Sequence, residues 1–103
     1  MDRPLGGIPD ETMARFVAAE SRLYPMALSD PSAYERATAL VGLVADELRR
    51  SSADVPSVLE RRAELVGRLP QLATDAGLLV GGLPAEAVVD AASALRCREL
   101  GAG

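Results

Sequence analysis

Glu20 and Arg62 are the charged residues of this sequence best placed to do chemistry. Each falls in the middle of a helical stripe that is otherwise apolar. At about 100° per residue, Glu20 stands among Met13, Phe16, Val17, Leu23 and Tyr24, and Arg62 stands among Val58, Leu59, Leu65, Val66, Leu69 and Ala73. A buried charge without a partner is strongly unfavourable. Two such charges of opposite sign on two helices therefore predict a Glu20–Arg62 ion pair that fixes how the helices align. Two other readings stay open. One or both side chains reach the bundle edge and stay hydrated, or they line a polar pocket in which Arg62 binds a small anion and Glu20 orients it.

The other candidates offer less. Glu60 and Glu64 are one helical turn apart, as a metal-binding pair would be, but Arg61 and Arg68 beside them point to solvated surface pairs. Cys97 lies between Arg96 and Arg98, and neighbouring cations make a thiol more acidic and reactive. The plain reading is a half-buried cysteine without a role; the alternatives are an intermolecular disulfide or a redox thiol. Arg49-Arg50 and Arg61-Arg62-Arg68 can meet around one interhelical turn. A helix-turn-helix reader of DNA would present a basic helix there, yet the chain carries a net charge of −4, which disfavours nucleic acid and anionic membranes as partners.

What is missing narrows the field further. The eleven basic residues are all arginine, and there is no histidine. The usual general base, the Schiff-base lysine and the commonest metal ligand are therefore absent. A Ser-His-Asp or Cys-His site and a Cys/His zinc site cannot be assembled within the chain. Gly77–Gly82 is glycine-rich but has no following lysine and no preceding strand, so it is not a phosphate loop. No cofactor and no enzymatic activity are expected.

The elements that position these residues follow from composition and punctuation. Hydrophobic residues make up 49% of the 103 and charged residues 25%, which is ordinary globular usage. The apolar share is dominated by Ala, Leu and Val, which favours helices over strands. The pattern predicts an all-α, four-helix, mostly antiparallel bundle. Residues 1–8 read as a flexible N-terminal tail and residues 9–100 as a single helical domain. Helix 1 is expected over 10–24, ending at Pro25. Asp30-Pro31 supplies a cap and a first-turn proline for a helix over 31–50. Asp54-Val55-Pro56 opens a third helix near Pro56, broken or kinked at Pro70 and stopped at Gly77. Pro84 opens the fourth, which runs to about Glu99 with Ala85, Val88, Val89, Ala92 and Leu95 on one side. The small side chains of that helix allow close approach by neighbours.

These features point to a non-enzymatic protein–protein interaction module: an adaptor, an accessory subunit or a regulatory domain. Leu43 points into the charged face of the second helix, either as a stray surface leucine or as a contact with a partner. Together with Leu78, Leu79 and Val80 it suggests surplus apolar surface and self-association as a homodimer or larger homo-oligomer. The alternative function is a small anion- or small-molecule-binding module centred on Arg62, with Glu20, Tyr24 or Tyr34 lining a cavity. An enzyme using carboxylates or a metal ranks last. The start of the chain lacks a signal-peptide pattern, and the longest apolar run is too short to span a bilayer, so the expected location is the cytoplasm.

Overall fold

The structure, a computed structural model, describes residues 8–79 and 81–101. All regular elements among these residues are helices: α1 (Asp10–Leu23), α2 (Met26–Ser29), α3 (Pro31–Ser51), α4 (Val55–Glu60), α5 (Arg62–Asp75) and α6 (Ala85–Glu99). The all-α bundle read from the sequence is the observed fold. The tail expected over residues 1–8 falls outside the described residues except for Ile8, which packs against the core.

The caps work as their residue types require. Asp30 accepts a hydrogen bond from the Ala33 amide at 3.2 Å, with Pro31 in the first turn of α3. Asp54 accepts one from the Ser57 amide at 2.9 Å. Each carboxylate satisfies an amide that the helix itself leaves without a partner. Gly77, at a φ of 74°, closes α5. The Leu78 amide donates back to the Ala73 carbonyl at 2.8 Å and the Gly77 amide to Thr74 at 3.0 Å, a Schellman closure that needs a left-handed residue.

Two expectations about the breaks change. The third helix divides at Arg61, where the amide reaches back three residues to Val58, and not at Pro70. Pro70 lies within α5 on its exposed side, so its ring meets solvent and only one helical hydrogen bond is lost. At Pro25 α1 has ended, but the backbone keeps helical dihedrals at Tyr24 and Pro25. The single turn of α2 thus continues the line of α1.

The last helix is the centre of the molecule. α6 packs against α1, α3, α4 and α5. Its buried residues are Ala87, Val88, Val89, Asp90, Ala92, Ser93, Ala94 and Cys97, which go all the way round its axis. The one-sided set Ala85, Val88, Val89, Ala92 and Leu95 expected from the sequence is therefore only part of what this helix buries. Alanine and serine on its surface let four neighbours come close, and Leu40, Leu48, Leu65 and Leu69 fill the spaces between them with fully buried side chains.

Candidate functional site

The rotation of α1 about its axis decides what the surface offers. Its buried residues are Thr12, Phe16, Ala19 and Leu23, a stripe turned by roughly a quarter turn from the one centred on Glu20. The helix therefore presents two further faces on either side of its core edge. One carries Met13, Val17, Glu20 and Tyr24. The other carries Arg15, Ala18 and Arg22.

This rotation separates Glu20 from Arg62. The expected pair between them does not form. Glu20 accepts a hydrogen bond from Arg98 Nη2 on α6 at 2.6 Å. Arg62 instead holds Asp90 on α6 in a two-pronged contact, Nε to Oδ1 at 2.7 Å and Nη2 to Oδ2 at 3.1 Å. Glu86 Oε1 lies 3.8 Å from the same Nη2. Asp90 is only 5% exposed, and it raises the pKa of Arg62 by hydrogen bonding to the guanidinium. Arg62 does join two helices by an ion pair, but with Asp90 and not with the expected Glu20. One signal for that partner was available: Asp90 is the only ionisable residue between Glu86 and Arg96, which marks it as a charge on an otherwise apolar helix.

Leu43 is half-buried against the core and is not a free-standing surface leucine. The buried stripe of α3 is turned toward Leu40, which brings Leu43 onto its flank. Leu78 is likewise packed against the core, Leu79 is exposed, and Val80 lies outside the described residues. Arg36 donates to the carbonyls of Leu79 at 3.0 Å and Gly81 at 3.5 Å, tying this loop to α3.

The arginines around the α3–α4 turn are taken up by carboxylates. Glu47 faces Arg50, Arg61 and Arg68, and the Arg50 hydrogen bond holds its pKa below the usual carboxylate value. Arg61 also binds Glu64 at 2.8 Å and the Ser51 hydroxyl. Arg49 bridges α3 to α6 through Glu99 and also pairs with Asp46 of its own helix. Glu64 faces Arg61 and Arg68, the surface pairing its neighbours in sequence imply. Cys97 is fully buried. Burial pushes its thiol pKa up despite Arg96 and Arg98, so the thiol is closed to reagents rather than activated by its neighbours.

Two surface features remain, one on each flank of α1. On the apolar flank, Val17 is 55% exposed, Tyr24 61% and Leu28 of α2 92%. Beside them lie two recesses. One is a groove between α1 and α3, floored by α6 and lined by Tyr24, Tyr34, Val41, Ala91 and Leu95. The other lies between α1 and α6 and is lined by Ile8, Met13 and Phe16. The Glu20–Arg98 pair borders both. On the opposite flank a cleft of about 200 Å³ is bounded by Arg15, Arg22 and Arg62. Sequence reading named Arg62 here but missed Arg15 and Arg22, which are ordinary surface arginines until the rotation of α1 is known.

Fold and surface together define an all-helical protein with an apolar face and a cationic cleft. A comparison with family models, curated proteins and solved structures finds no match to the chain.

Proposed function

We propose that this chain is a non-enzymatic interaction module that pairs with a second copy of itself through the apolar flank of α1. The observation that carries this reading is the juxtaposition on one face of a protruding apolar row, Val17, Tyr24 and Leu28, and a groove lined by Tyr34, Val41 and Leu95. A protrusion beside a recess is what a two-fold contact needs, since each copy inserts its row into the groove of the other.

Charge supports the same occupant. The Glu20–Arg98 pair that borders both recesses is neutral and self-complementary. A two-fold axis near it lets each Glu20 face two guanidinium groups, its own and that of the other copy. An acidic or basic partner would find no net charge of opposite sign there. Contiguous exposed apolar surface in a small domain marks an interaction site, and aromatic residues such as Tyr24 and Tyr34 are favoured at interface centres.

The absence of histidine and lysine from the sequence supports a role without acid–base or covalent catalysis. No helix among the described residues is long and apolar enough to cross a membrane, and a single buried thiol suits the reducing cytoplasm.

Val17→Arg tests the proposal. Val17 is exposed in a single copy, so the substitution leaves the fold intact, but it places two like charges across the interface. Light scattering after gel filtration is expected to show the wild type as a dimer and the variant as a folded monomer. A variant that keeps the wild-type mass removes α1 from the contact.

A further inference from the structure

Arg15 and Arg22 lie two turns apart on α1, and with Arg62 of α5 they bound one cleft whose floor is Ala18, Ala19 and Ala87. Their electrostatic situation is unlike that of the other described arginines. Each of the others faces a carboxylate within 4 Å or, for Arg36, backbone carbonyls. Arg15 and Arg22 have neither partner among the described residues.

Arg62 is also only partly used. A guanidinium has five N–H donors, and Asp90 takes two of them. Asp90 thereby fixes the plane of the guanidinium and leaves its Nη1 donors without a hydrogen-bond partner among the described residues. The carboxylates bordering the space are Asp90, already engaged, and Glu86, which is largely exposed and free to turn outward. Three guanidinium groups against two carboxylates leave a net positive cleft.

Arginines from two helices lining one cleft suit a ligand with several acceptors and more than one negative charge. A single carboxylate is planar and monovalent and answers only one fork. The cleft is small, about 200 Å³, which suits one compact charged group. We propose that this cleft binds a phosphate group, free or as the terminal group of a small phosphorylated molecule. It lies on the opposite flank of α1 from the dimer face and does not depend on self-association.

Isothermal titration calorimetry on the full chain tests this with orthophosphate, pyrophosphate and glycerol phosphate, against chloride at matched ionic strength. Saturable one-to-one binding of a phosphate compound is expected. Tighter binding of the ester than of orthophosphate assigns the group to a carrier molecule, and the reverse assigns the free ion. Arg15→Gln and Arg22→Gln are each expected to weaken binding about tenfold, a typical loss for one charge-assisted hydrogen bond. Both variants should melt at the wild-type temperature, because neither side chain supports the fold. Heats no larger than the chloride control, or wild-type affinity in the folded double variant, would overturn the proposal.

Discussion

Asp90 is a carboxylate with almost no access to water, on a helix surrounded by apolar neighbours. Its charge is tolerable only because Arg62 supplies a two-pronged contact. Arg62→Leu strands that carboxylate, and we predict a loss of about 2–3 kcal/mol in chemical denaturation, toward the low end for a broken buried pair because Arg62 is partly hydrated. Replacing both residues with leucine should recover much of the loss. If Arg62→Leu alone is neutral, the pair does not hold α5 to α6. Glu47 gives a pH-dependent effect. Its pKa is depressed in the folded state by Arg50, Arg68 and Arg61, so its stabilising contribution is present at neutral pH and is lost as pH falls through the folded value, below 4.5. Glu47→Gln should therefore cost up to about 1 kcal/mol at about pH 7 and almost nothing at about pH 3; an equal cost at both would show that packing and not charge is involved. At this scale the sequence was half legible. A charge inside an apolar stripe identified Arg62, but its partner lies on the side of α6 opposite the apolar set Ala85, Val88, Val89, Ala92 and Leu95, so pairing by stripe alone chose Glu20.

Element boundaries were readable wherever one residue type does a single local job. Asp30 with Pro31, Asp54 with Pro56, and Gly77 each satisfy or release specific backbone groups, and those effects do not depend on tertiary context. Gly77→Ala makes this quantitative. A Cβ there meets nothing within 4 Å, so the cost comes only from holding φ at 74° and should be about 1 kcal/mol by thermal unfolding. No measurable loss would mean the α5 terminus re-forms without a left-handed residue. What the sequence could not give was rotation. Met13, Val17 and Tyr24 are as hydrophobic as Phe16 and Leu23, and only packing against α6 decides which of them it covers. The same ambiguity of about a quarter turn moved Glu20 from core to rim, exposed the apolar flank and brought Arg15 and Arg22 to the cleft. Pro70 misled for a related reason. A proline breaks a helix when its ring collides or its lost donor is buried, and on the solvent side of α5 the cost is small enough for packing to override.

For the molecule as a whole, burying α6 on all sides leaves α1 to work on both flanks at once. Its core edge closes the bundle, its apolar flank is the proposed contact with a second copy, and its arginine flank is the proposed phosphate site. Self-association would also add burial to a core built largely from alanine, valine and leucine with one phenylalanine. Sedimentation equilibrium of the wild-type chain from micromolar to millimolar concentration decides whether the chain pairs with itself. The expected apparent mass rises toward, or holds at, twice the 10.8 kDa of one chain as concentration increases, with Val17→Arg restoring the single-chain mass. A wild-type mass that stays at one chain throughout the millimolar range would contradict self-association.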